Sequence, residues 1–304
     1  MSLLPCFENY NHAIKVDSES SLEYQLEKVM YFSSKVDSIV VKGRYTSYID
    51  EPEYQYYLDS LINNFSTLIE YFYSYVAYSI IGTIKLDLVK ITYEYPSEKK
   101  TKDKIRKNLF NNLKIGVLEK AKDHDFEKKC SNFFDEYSKI FFSSKYHEIY
   151  VLNNYIKHNK MLLGYAPLVS LHSKPFSFAY IRIENHNNNL INNSILKDLS
   201  KHPYDEIHHL TSSESNNDDK FCSFGFIGGI KLLNINGIDY IKGGNSAGIT
   251  IESIMDVTKK LCLDILDAME KNKQGHTTLL NKIGKMRDML INSRDYNVFN
   301  KIIK

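Results

Sequence analysis

Residues 51–80 read EPEYQYYLDSLINNFSTLIEYFYSYVAYSI. Leu58, Leu61, Phe65, Leu68, Phe72, Tyr75 and Val76 recur every three or four residues, with Glu, Asn and Ser between them. On a helix of 3.6 residues per turn that spacing makes one continuous apolar stripe. Such a stripe is stable only when other elements cover it. The stretch therefore predicts a mainly α fold built as a helical bundle.

Upstream, Leu22, Leu26, Val29 and Phe32 make Ser21–Ser34 a shorter amphipathic helix. The β-branched run Ser38–Tyr48 reads as a strand. Downstream, Ile81–Tyr95 fits neither period. Pro96-Ser97 and Glu98-Lys99-Lys100 mark an exposed turn. A second helical block spans Thr101–Lys122. A third spans Phe126–Asn159, with a break near Ser143-Ser144. The pattern changes after Gly164. Pro167, Pro175 and the alternating Phe176, Phe178 and Tyr180 suggest strands. Asn187–Asn193 and Thr211–Lys220 are polar and loop-like. Asn236-Gly237 stands between the apolar runs 231–235 and 238–242, which is the pattern of a type I′ hairpin. Helix resumes over Ala247–Lys271, and Gly275 separates it from a last helix over Thr277–Lys304.

The expected organisation is an N-terminal segment (1–50), a helical bundle (51–163), an inserted β-rich subdomain (164–245) and C-terminal helices (246–304) that complete the bundle. The class is α+β overall, dominated by helix. The first and last helical sections are expected to pack together.

Composition bounds the function. The 304 residues hold 39 basic and 37 acidic side chains, a formal net charge of +2. Such a small excess does not draw a polyanion to the whole surface, so a nucleic-acid site has to be a local basic cluster. Cys6, Cys130, Cys222 and Cys262 are far apart and form no CxxC pair, which favours a reducing compartment, hence the cytoplasm. The start lacks the features of a signal peptide. Tyr71–Ile84, the most apolar stretch, is too short and too polar to span a bilayer, so no membrane partner is expected.

The third helical block ends in Leu152-Asn153-Asn154-Tyr155-Ile156-Lys157-His158-Asn159. This resembles the signature helix of HEPN domains (higher eukaryotes and prokaryotes nucleotide-binding). That family carries Arg, a polar residue, a few variable residues and then His on a helical bundle. Asn154 and His158 match the polar and His positions, and Asn153 stands where the family has Arg. The resemblance covers roughly Glu51–Asn159, with Ala247–Lys271 as a closing helix. It implies a metal-independent ribonuclease or RNA-binding protein, of a toxin or defence type, with its site built across a homodimer. His158 would transfer the proton or contact phosphate, because imidazole titrates near neutral pH. Asn154, four residues away, lies on the same helical face and would orient it. Asn153 carries no charge, and losing an electrostatic stabiliser of this kind costs about a hundredfold to a thousandfold in rate. Lys157 or Lys160 would then supply the cation, without the forked donors of Arg. The resemblance thus implies slow cleavage or binding alone. The plainer reading of His158 is a residue favouring the helix C-terminal dipole.

Other groups have plainer readings too. Lys99, Lys100, Lys102, Lys104, Arg106 and Lys107 form the strongest cationic run, and Lys104, Arg106 and Lys107 are candidate phosphate contacts. Asp103 interrupts the run, and a solvated helix face explains it as well. His202, Asp205, Glu206, His208 and His209 have ligand chemistry but fit no zinc motif, so no metal or other cofactor is expected. His147-Glu148 lacks the second His of a metalloprotease helix. Lys242–Gly248 falls between a strand and a helix start, where backbone N–H groups bind phosphate. It lacks P-loop spacing and reads as a glycine turn with an Asn or Ser cap. Tyr71, Tyr73, Tyr75 and Tyr78 resemble a stacking platform, yet part of the set belongs to a core stripe. The rival to an RNA-directed function is a non-catalytic interaction protein whose β insertion binds a protein partner.

Overall fold

The computed structural model describes residues 6–42, 52–76, 93–97, 101–116, 124–158, 164–165, 168–171, 174–177, 180–183, 231–235, 237–243, 246–271 and 277–293. Their structure is mainly α. The helices are α1 (Cys6–Lys42), α2 (Pro52–Tyr75), α3 (Lys102–Gly116), α4 (His124–Phe141), α5 (Ser144–His158), α6 (Ile251–Lys271) and α7 (Thr277–Ile291). The strands are β1 (Gly164–Tyr165), β2 (Leu168–Leu171), β3 (Lys174–Ser177), β4 (Tyr180–Ile183), β5 (Lys231–Ile235), β6 (Ile238–Gly243) and β7 (Ser246–Thr250).

The decisive stretch is helical, as its stripe demands. Pro52 and Glu53 open α2, where Pro needs no N–H donor and Glu complements the helix dipole. The break in the third block falls between α4 and α5, at Phe142-Ser143. The Asn-Gly hairpin is also present: β5 pairs antiparallel with β6, Ile235 opposite Ile238, and Gly237 has φ 82°. Glycine takes that left-handed conformation without a Cβ clash.

Two expectations fail. Ser38–Lys42 is the end of α1 and not a strand. Val36 is buried and extends the stripe of Leu22, Leu26 and Val29, so tertiary packing outweighs the β preference of Ile39, Val40 and Val41. Residues 246–250 form β7 and not the start of a helix. β7 is hydrogen-bonded on both sides, to β4 and β6, which the weak helix formers Gly248, Ile249 and Thr250 permit. The cap of α6 is accordingly Thr250, whose Oγ1 accepts from the Ser253 N–H at 3.2 Å. The anticipated Asn or Ser cap within 245–246 is displaced by that strand.

The chain divides into two compact units, and the division falls inside α1, α2, α5, α6 and α7. The first comprises residues 1–30, 64–147 and 261–288. Its core joins Leu22, Leu26, Phe65, Leu68, Phe72, Tyr137, Phe141, Leu261 and Ile265. Phe72 meets Tyr137 edge-on at 5.5 Å and Phe141 at 5.7 Å between ring centroids. Buried Gln25 donates to the backbone oxygen and Oδ1 of Asn64, both at 3.0 Å, which fixes α1 against α2. The first and last helices do pack together here. Lys282 of α7 pairs with Glu23 and Glu27 of α1.

The second unit comprises residues 31–63, 148–260 and 289–304. It holds a five-stranded antiparallel sheet in the order β1-β4-β7-β6-β5, and β2 and β3 form a separate hairpin. One face presents Ile181, Tyr240 and Ile249, which lie opposite one another in register and are buried. Leu58, Leu61, Ile62, Ile149, Leu152, Ile254 and Val257 supply the helical part of this core. The strands thus share their compact unit with segments of α1, α2, α5, α6 and α7. Asn187–Asn193, Thr211–Lys220 and His202–His209 lie outside the described residues.

Candidate functional site

The motif occupies the last turns of α5. Ile149 and Leu152 are buried and fix which side of this helix faces the protein. Asn153 follows that side inward and is only 2% exposed, and its Oδ1 has no hydrogen-bond partner among the described residues. Asn154, about 100° further round the helix, is exposed. Lys157 is exposed as well, and His158 is the final residue of the helix. Helical spacing puts Asn154 and His158 on one face. The surface of the motif is therefore Asn154 and Lys157, leading to His158, while Asn153 points into the core. Lys160 lies outside the described residues.

Lys104, Arg106 and Lys107 are exposed on α3, in the first unit, whereas the motif belongs to the second. Thr101 caps α3 through its Oγ1, which accepts the Lys104 N–H at 3.3 Å. Buried Ile105 anchors the helix and leaves the basic side chains in solvent. Arg106 donates to Ser131 Oγ, and Lys102 Nζ sits 5.5 Å from the Phe142 ring centre. In the Tyr set, Tyr73 and Tyr75 are core and Tyr71 is exposed, so no continuous platform forms. Tyr78 is outside the described residues.

Lys242–Gly248, expected as a glycine turn leading to an Asn or Ser helix cap, leads into β7 instead. Gly243 pairs with Ser246, so the segment joins two strands and offers no helix N-terminus. Among the described residues no group of three or more His, Cys, Asp or Glu is placed to hold a metal ion. No described helix is long and apolar enough to cross a membrane.

Several titratable groups are perturbed away from the motif. Burial pushes His147 down to about 4; its ring stacks on Tyr95 at 3.9 Å and 6°. Burial raises Asp239 to about 6, opposed by a hydrogen bond from Asn234 Nδ2 at 2.6 Å and reinforced by the charge of Asp256. Burial pushes the Cys262 thiol up to about 12, which leaves it an unreactive core group. Burial, and then the charge of Glu252, raise Tyr54 well above the ordinary phenol range. Each of these shifts has desolvation as its first cause, the signature of core packing more than of a catalytic cluster.

The chain matches no family model, no curated protein and no solved structure.

Proposed function

We propose that this chain is a HEPN-like RNA-directed protein, cytoplasmic and homodimeric, which binds RNA and cleaves it slowly without metal, as a toxin or defence-type module does. The supporting observation is the exposed pair Asn154 and Lys157 on the last turns of α5, leading to His158. In the reaction the 2′-oxygen attacks phosphorus as His158 takes its proton. The bond to the 5′-oxygen breaks, and the leaving oxygen is protonated by the second His158 of the dimer or by water. Asn154 holds the imidazole or a phosphate oxygen. Lys157, with Lys160 beyond it, supplies the positive charge for the phosphorane. A single-point ammonium does this less well than a forked guanidinium, which makes the reaction slow.

The test is incubation of the purified chain with mixed RNA in the presence of a chelator. Slow cleavage leaving 2′,3′-cyclic phosphate ends is expected, and its loss in His158→Ala. Equal cleavage by both proteins would remove His158 from the chemistry.

A second reading follows from Asn153. A buried neutral amide where the family has a surface Arg suits a bundle that has given up catalysis. The chain is then a scaffold, with residues 164–245 as an inserted β-rich subdomain that binds a protein partner. Absence of cleavage by the unaltered chain favours this reading.

A further inference from the structure

Within the second unit, the β5–β6 hairpin meets α6 through one buried carboxylate. Asp239 is 5% exposed and stands opposite Asn234 in the hairpin ladder. The Asn234 amide spans the hairpin tip: Nδ2 donates to Asp239 Oδ1 at 2.6 Å, and Oδ1 accepts the Gly237 N–H at 3.2 Å. Where β7 gives way to α6, the Asp239 N–H donates to Ser253 Oγ at 2.8 Å. Ser253 and Asp256 are three residues apart and share one side of α6. The same helix face thus holds the Asp239 backbone and brings a second carboxylate one turn further on.

The other ionisable groups of these elements are placed elsewhere. Glu252 acts on Tyr54 of α2, and Lys259 donates its Nζ to the Ser293 carbonyl at 3.2 Å. Lys260 is exposed, a turn beyond Asp256. Lys231 and Lys242 are cross-strand partners at the far end of the hairpin. Residues 246–250 of β7 carry no ionisable side chain, and β5 faces Asp239 with neutral Asn234. An ionised Asp239 therefore has a neutral amide as its side-chain donor, in a dry position, and meets the charge of Asp256. A proton removes both costs.

We propose that the tip of the β5–β6 hairpin is a proton-operated latch, closed on α6 when Asp239 is protonated and loosened when it ionises. The inference stands apart from the RNA-directed reading. In the sheet β5 pairs with β6 alone, so the tip can loosen without separating β4 from β7. Burial, opposed by the Asn234 bond and reinforced by Asp256, places the titration at about 6 in the closed hairpin. An opened, hydrated tip returns the carboxyl toward its ordinary 3.8. The closed form then holds the extra proton between these values, so closure strengthens as pH falls from about 7 to about 4.

The experiment is hydrogen–deuterium exchange of the full chain at pH 5, 6 and 7, corrected for the intrinsic pH dependence of exchange. Opening of peptides covering 231–243 is expected to fall roughly tenfold from pH 7 to pH 5, as linkage between 6 and 3.8 requires. Peptides from α7 are expected not to follow this change; a parallel change there would overturn a local latch. Asp239→Asn mimics the protonated acid and is expected to give a closed hairpin at every pH. Asp256→Asn, at an exposed position, is expected to shrink the pH response. An unchanged profile in Asp239→Asn overturns the proposal. Should that variant misfold, an unchanged profile in Asp256→Asn does the same. Opening of the unaltered chain that stays constant or rises toward pH 5 overturns it outright.

Discussion

The Tyr146 hydroxyl donates to Asp264 Oδ2 at 2.6 Å, joining α5 to α6 across 118 positions of sequence within the first unit. Tyr146 is buried, and its ring meets Phe65 edge-on at 6.2 Å. The ring fills core space while the hydroxyl reaches a carboxylate that is partly in solvent. Tyr146→Phe keeps the packing and removes only the bond. Hydrogen bonds to charged groups contribute about 1.5–3 kcal/mol, and Asp264 recovers part of that from water, so a loss of about 1–2 kcal/mol is expected. Urea unfolding at pH 7, with an unchanged slope and a lower midpoint, checks it.

Two buried titratable groups give opposite pH responses. His147 titrates at about 4 in the folded protein, below its ordinary 6.5. Between these values the unfolded chain binds the proton and the folded chain does not, so this group removes stability as pH falls from about 6.5 to 4. Asp239 titrates at about 6, above its ordinary 3.8. In that window the folded chain holds the extra proton, so Asp239 adds stability as pH falls from about 6 to 4. Asp239→Asn keeps an acceptor for Asn234 Nδ2 and is expected to steepen the acid loss of stability. His147→Gln is expected to flatten it. Denaturant midpoints at pH 7, 6, 5 and 4.5 check both; parallel curves for all three proteins would contradict the assignment.

The junction between β7 and α6 supplies a third expectation. Thr250 is buried, and its hydroxyl satisfies the Ser253 N–H. Ser253 Oγ in turn accepts the Asp239 N–H at 2.8 Å, which ties α6 to β6. Thr250→Ala is expected to cost about 1–2 kcal/mol, the upper part of the range for N-caps, because the orphaned donor is buried. Thr250→Ser keeps the acceptor and is expected to lose less. Thermal unfolding of the two variants side by side distinguishes a lost cap from a lost methyl contact.

Legibility in the sequence follows the strength of local signals. The stripe of α2, the break at Phe142-Ser143 and the Asn-Gly hairpin each rest on residues within one turn or one strand pair, and all are present. The end of α1 and strand β7 are not local decisions. Ile39, Val40 and Val41 favour strand, yet the buried stripe ending at Val36 carries them into a helix. Ala247 resembles a helix start until β4 and β6 are placed on either side of it. At the candidate site, the spacing of Asn154 and His158 is readable. The inward turn of Asn153 is not, because it depends on which side Ile149 and Leu152 bury.

Asn153 gives the sharpest test of how far the α5 motif resembles a working one. Its side chain is buried and its Oδ1 has no partner among the described residues, so a polar group there costs stability. Asn153→Leu removes that group with the same branched shape but a larger volume, and is expected to lie within about 1 kcal/mol of the unaltered chain. Asn153→Arg places a cation among Ile149, Leu152 and their neighbours. A destabilisation of several kcal/mol is expected, or displacement of α5 if the charge reaches solvent. Chemical denaturation of both variants, with RNA cleavage measured on the Arg variant while it is still folded, checks this. A stable Asn153→Arg protein with faster cleavage would show that the position is reachable from solvent and that the burial of this face of α5 yields to charge.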